Sequence, residues 1–97
     1  MKFSYKVFQK EKLLAVCDNE ILGKTLKHIG IDIYISPDFY GSGKADENTI
    51  INLAKQSTII NAFGNNIIKI LIKAGVIDNN STVEIDGVLH GQVFVIA

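Results

Sequence analysis

Between Asn66 and Ala74 the chain is almost wholly apolar: only Asn66, Lys69 and Lys73 interrupt Ile67, Ile68, Ile70, Leu71, Ile72 and Ala74. At 3.6 residues per turn the three polar residues form a narrow stripe, and the rest of the helix surface is hydrocarbon. Such a helix cannot stand in water and has to be laid against a broad apolar surface. Gly75 follows where a left-handed C-cap belongs, with Leu71 and Val76 placed for the apolar contact that goes with it. The segment is also far short of the roughly 20 residues that cross a bilayer.

The surface that covers this helix has to come from strands, and the sequence supplies them. Phe3, Tyr5 and Val7 alternate with Ser4, Lys6 and Phe8, and the run Leu13 to Cys17 follows the turn Gln9-Lys10-Glu11-Lys12, which reads as a hairpin. Asp18 is a good N-cap, Glu20 adds favourable charge, and Ile21, Leu22, Leu26 and Ile29 share a helical face closed by Gly30, so the pattern predicts a first helix over 19–29. Ile31, Ile33 and Ile35 make a short strand ended by Ser36-Pro37-Asp38, and 38–44 reads as a loop. Asp46 can cap a second helix ending near Gln56. The run from Thr58 to Phe63 is β-branched and apolar, as an interior strand would be. Last, Val83 to Ile85 and Val88 to Ile96 flank Asp86-Gly87, a strong two-residue hairpin signal. The expected fold is therefore α/β, with α+β as the alternative: one domain over 1–97, a mixed sheet, three helices, in the order ββαβαβαββ.

Composition narrows the function classes. Apolar residues make up 47% and charged residues 21%, which is globular and not disordered. The formal charge is zero, and all ten basic residues are Lys, so the bidentate fork that reads phosphates and guanine edges is missing. Cys17 is the single cysteine, which rules out an internal disulfide and a thiolate-rich zinc cage. With His28 and His90 it has no paired ligand spacing, so neither a metal nor a cofactor is expected. No signal-peptide pattern opens the chain, and the expected compartment is the cytoplasm.

Four motifs carry possible chemistry. Gly41-Ser42-Gly43-Lys44 lacks the P-loop's first Gly (Asp38 stands there) and its Ser or Thr (Ala45), so it is read as a loop. Asn61-Ala62-Phe63-Gly64-Asn65-Asn66 is a strand, a Gly turn and a helix start, where free amides and the helix dipole suit an anion; the plain reading is a Gly turn with an Asn cap. His90 and Gln92 share one face of an otherwise apolar strand, with Gly91 between them, and His90 is either a general base or ligand contact or a structural histidine. Cys17, beside a helix start, is a conceivable nucleophile that Asp18 would disfavour by like-charge repulsion.

Cys17-Asp18-Asn19-Glu20-Ile21-Leu22-Gly23-Lys24, Phe39-Tyr40-Gly41, Asn61-Ala62-Phe63-Gly64 and Gly87 to Val93 together resemble a conserved, mainly archaeal family known as domain of unknown function 424. The chain departs from that family's pattern at Leu89, Gly91 and Asn65. The resemblance brings no activity or substrate; it makes Cys17, Asp18, Tyr40, Asn61, Gly64, His90 and Gln92 worth examining together. The expectation is a non-catalytic binding module for a small anion, an RNA or a protein partner, in housekeeping of the translation type, with Asp18, Tyr40, Asn61, Gly64, Asn65, His90 and Gln92 as binding residues. The alternative is a small enzyme with His90 as acid or base and Cys17 as nucleophile. Membrane partners are not expected, and an oligomer is compatible with the high apolar content.

Overall fold

The computed structural model describes residues 1–94. Eight strands, β1 (Lys2–Phe8), β2 (Leu13–Asp18), β3 (Thr25–His28), β4 (Ile31–Tyr34), β5 (Gly43–Asp46), β6 (Ile59–Phe63), β7 (Thr82–Ile85) and β8 (Val88–Phe94), alternate with three α-helices, α1 (Pro37–Tyr40), α2 (Glu47–Lys55) and α3 (Asn65–Lys73), among the described residues. Six strands form one sheet in the order β5-β1-β2-β6-β8-β7, and β3 and β4 form a separate hairpin. The β2–β6 pair is parallel and its neighbours are antiparallel, so the expected mixed sheet with three helices is present, as an α+β arrangement.

Alternation along each strand divides the sheet between two cores. Phe3, Leu14, Val16, Ile60 and Ala62 face α2 and α3, where Ile50, Ala54, Ile67, Ile68 and Leu71 meet them. Complete burial of Ile67, Ile68 and Leu71 contributes about 1.5–3 kcal/mol for each side chain. Behind them Gly75 adopts φ +76° and Val76 N donates to Leu71 O at 2.9 Å, the left-handed helix ending expected there. Asp46 caps α2 by accepting from Thr49 N at 3.0 Å, which also holds its carboxyl below the usual carboxylate value. The other face, with Ala15, Cys17 and Phe63, is covered by Ile21, Leu26, Ile35 and Tyr40 from the segment 19–41.

The expected helix over 19–29 does not form. A single 3-10 turn, Asn19–Ile21, is followed by Gly23 at φ +81°, and Thr25–His28 instead pairs antiparallel with Ile31–Tyr34. The spacing of Ile21, Leu22 and Leu26 fits a helix, but Leu26 and Ile33 also fit the inner face of a hairpin. The cap that would start the helix is used elsewhere, as shown below, and Ile29, assigned to the buried face, is 87% exposed in the left-handed turn with Gly30. The segment 38–44, expected to be a loop, instead contributes α1 and the edge strand β5. Asp86 and Gly87 take φ +53° and +78°, the type I′ geometry that their sequence calls for. The last residues assigned to this strand, Val95 and Ile96, lie outside the described residues.

Candidate functional site

Strand register aligns one row of side chains across the whole sheet. Lys44 on β5 stands opposite Ser4, Ser4 opposite Cys17, Cys17 opposite Phe63, Phe63 opposite His90, and His90 opposite Val83. One row along, Ala15, Asn61 and Gln92 are neighbours on the same face. The short helix α1 brings Tyr40 over these rows, because Ser36 caps it by accepting from Asp38 N and Pro37 starts it.

Tyr40, Asn61 and His90 meet there. Tyr40 donates its hydroxyl to Asn61 Oδ1 at 2.6 Å, and His90 Nε2 reaches the same oxygen at 3.2 Å. A carbonyl oxygen only accepts, so both partners are donors and His90 carries its proton on Nε2, which leaves Nδ1 as an acceptor. Burial pushes the Tyr40 hydroxyl well above its ordinary value, so it remains a donor across the physiological range. An aromatic ladder supports the group: Phe8–Phe39, Phe39–Tyr40, Tyr40–Phe63 and Phe63–His90 rings lie with centroids at 5.3, 4.8, 6.4 and 4.7 Å. Asn61 and His90 are half-buried and Gln92 is exposed, so the group opens to solvent along β8.

Burial also pushes the His90 imidazole below its ordinary pKa of 6.5. The ring is therefore neutral at pH 7, and its C2–H resonance is expected to titrate at a pH below 6.5 in the folded protein. Because the folded value is the lower one, the unfolded chain binds the proton more readily. The contribution of His90 to stability is present above 6.5 and is lost as the pH falls through the depressed value. A His90 titration at or above 6.5 would contradict this environment.

Cys17 shares the face but not the site. It is two strands from His90, which at ordinary strand spacing is about 9–10 Å, and the Phe63 side chain occupies the position between them. Burial, then the neighbouring Asp18, push its thiol up to about 12. A fully buried thiol so placed is no nucleophile at neutral pH, and the pairing of Cys17 with His90 is not formed.

Asp18, Gly64 and Asn65 belong to the other face. Asp18 continues the alternation of Leu14 and Val16 toward the helices, and its carboxylate accepts from Asn66 N at 2.9 Å and Ile67 N at 2.8 Å. It thus caps α3 from a strand 48 residues away, and not a helix of its own. Burial raises the Asp18 carboxyl above its ordinary value, while the two amides pull it back. The anion-binding helix start expected at Gly64 and Asn65 is therefore already filled by an anion of the chain itself. Asn65 does not cap either: its side chain donates to Gly87 O and accepts from Leu89 N, pinning the β7–β8 turn to α3.

Sequence reasoning missed Phe63 as the support of His90, and it missed the cluster in which Lys44 Nζ donates to Ser4 Oγ at 3.0 Å and to Asn19 Oδ1 at 2.6 Å. The one visible signal was Ser4, a small polar residue amid apolar strand positions. The lysines do not form one patch. Lys55, Lys69 and Lys73 lie on the helices of one face, Lys24 and Lys27 on the segment covering the other, and Lys27 pairs with Asp32 at 2.8 Å.

Fold and site together define a small α+β domain with a polar cluster on the hairpin-covered face of its sheet. The chain belongs to the family described as protein of unknown function (DUF424), whose profile matches residues 5–96. It is similar to the crystal structure of an uncharacterized conserved protein from Methanopyrus kandleri, with a TM-score of 0.83 and 23% identity over 99% of this chain and 93% of that one. At that identity the likeness speaks for the fold alone. No curated protein matches the chain. Among the described residues no helix is long and apolar enough to cross a membrane, and no group of three or more His, Cys, Asp or Glu is placed to hold a metal ion.

Proposed function

We propose that this is a cytoplasmic, non-catalytic binding module that recognises an amide-bearing segment of a protein partner at Tyr40, Asn61, His90 and Gln92. The observation that carries this reading is the double hydrogen bond to Asn61 Oδ1, at 2.6 and 3.2 Å. It fixes the carboxamide, sets the His90 tautomer, and leaves Asn61 Nδ2 and His90 Nδ1 without hydrogen-bond partners among the described residues. A fixed donor beside a fixed acceptor matches the pattern of an amide, and Gln92 next to them adds a second carboxamide. Phe94, paired with Ile59 and 65% exposed, supplies apolar surface beside them.

Other ligands fit less well. A small anion finds the α3 amides occupied by Asp18, and an RNA backbone finds its lysines split between two faces. The enzyme reading keeps a neutral His90 able to accept a proton, but its nucleophile is buried and apart. The test is an amide-resolved NMR titration with a panel of capped tripeptides bearing apolar side chains. Saturable shifts at Asn61, His90 and Gln92, weakened about fivefold or more in Gln92→Ala and Asn61→Asp, are the expected result. Shifts confined to the helix-covered face, or binding undiminished in both variants, would overturn it, and turnover of a peptide would overturn it in favour of the enzyme.

A further inference from the structure

We propose that the opposite, helix-covered side of the sheet holds a second site, a cleft for a small carboxylate with an apolar body. The cleft measures about 530 Å³ and lies between β1, the turn that follows it and the C-terminal end of α2. That volume falls within the roughly 300–1,000 Å³ of ordinary small-molecule sites. It exists because β1 outruns its neighbour: β5 pairs with β1 only as far as Tyr5, opposite Gly43, so no strand flanks β1 on that side at Val7. Gly43 lets the Tyr5 ring lie flush against β5, since a Cβ there would stand 2.9 Å from Tyr5 Cε1.

The lining sets the ligand class. Tyr5, Val7 and Leu53 give an apolar floor and wall, and Gln9, Gln56 and Lys12 place donors at the rim. Lys12 is the charged member, and no carboxylate lies within ion-pair distance of it among the described residues. Its position is held by backbone hydrogen bonds: its N donates to Gln9 O at 3.2 Å, and its O accepts from Thr58 N and Ile59 N at 2.9 and 3.1 Å. It also sits at φ +52°, where Gly or Asn would be at ease and a Lys is strained. A carboxylate on a hydrocarbon body satisfies both halves of this lining, whereas a neutral apolar ligand leaves the cation unused.

The test compares 3-phenylpropionate with its neutral amide, 3-phenylpropionamide, by amide-resolved NMR titration of the intact chain. Saturable shifts at Val7, Leu53 and Ser57 are expected with the acid, and binding about fivefold or more weaker with the amide. Lys12→Gly and Lys12→Asn both suit a left-handed backbone, so each should keep or raise the Tm while weakening the acid to the level of the amide. A merely structural Lys12 would not show that split. Equal binding of acid and amide, unchanged affinity in both variants, shifts at Asn61 and Gln92 instead, or no saturation by about 10 mM would each overturn the proposal. These outcomes are independent of the partner site on the other face.

Discussion

Gly64→Ala is expected to cost the protein most or all of its folded population. Gly64 sits at φ +135° and ψ +144°, a region open to glycine and closed to residues with a side chain. The backbone strain alone is about 1–3 kcal/mol. The added Cβ would also stand 2.4 Å from Asp18 Cγ and 2.7 Å from its Oδ1, inside a wall that is 3% exposed. Neither side can give way cheaply: Asp18 is held by two amides of α3, and Gly64 N donates to Leu89 O at 2.8 Å. Overpacking of this kind adds about 1–3 kcal/mol. The sum, about 2–6 kcal/mol, is a large part of the whole stability of a small domain. Urea unfolding followed by far-ultraviolet circular dichroism checks it, and a loss below about 1 kcal/mol would mean that Asp18 and Gly64 are not packed as described.

Asp18→Ala is expected to destabilise by about 2–4 kcal/mol without a new clash. The substitution removes both acceptors from Asn66 N and Ile67 N at once. A lost N-cap costs about 0.5–2 kcal/mol, and this one is buried, so the freed amides also bear a desolvation penalty of about 1–3 kcal/mol. Asp18→Asn keeps one acceptor oxygen and should fall between the unaltered chain and Asp18→Ala, because its NH2 group meets an N–H that it cannot bond. Since burial raises the Asp18 carboxyl, the desolvation of the charge already subtracts from what the cap contributes. The measured loss therefore belongs in the lower part of the range at neutral pH. A change within about 0.5 kcal/mol, the spread of ordinary surface substitutions, would show that α3 does not depend on this cap.

The two substitutions probe one joint, the place where β2, the end of β6 and the start of α3 meet. That joint holds the sheet face carrying Asn61 and Phe63, three residues and one residue before Gly64, in register with Gln92 and His90. Damage there is expected to reach the Tyr40–Asn61–His90 group through strand position and not by contact.

The elements marked by local chemistry were legible in the residues. Asp46 begins α2, Gly75 closes α3, and Asp86-Gly87 makes its turn, because each depends on neighbours within a few positions. The alternation of β8 correctly placed His90 and Gln92 on one face. Tyr40 and Asn61 were singled out, but their hydrogen bond joins residues 21 apart in a chain whose intervening segment was partly misread.

What the residues determined by themselves was the apolar rhythm: a nearly all-hydrocarbon helix at Ile67–Ala74, strands to receive it, and a neutral surface without arginine. What only the tertiary structure decided was which partner each polar group takes. Asp18 could cap the next residues or a helix start 48 positions on, and the second was chosen because the strand points it into the helix layer. Denied that cap and broken at Gly23, 19–29 became a 3-10 turn and the first strand of a hairpin, although its apolar spacing suited a helix equally well. Hydrophobic periodicity is a local property, whereas the satisfaction of a buried carboxylate is settled by whatever amides the finished fold brings within about 3 Å.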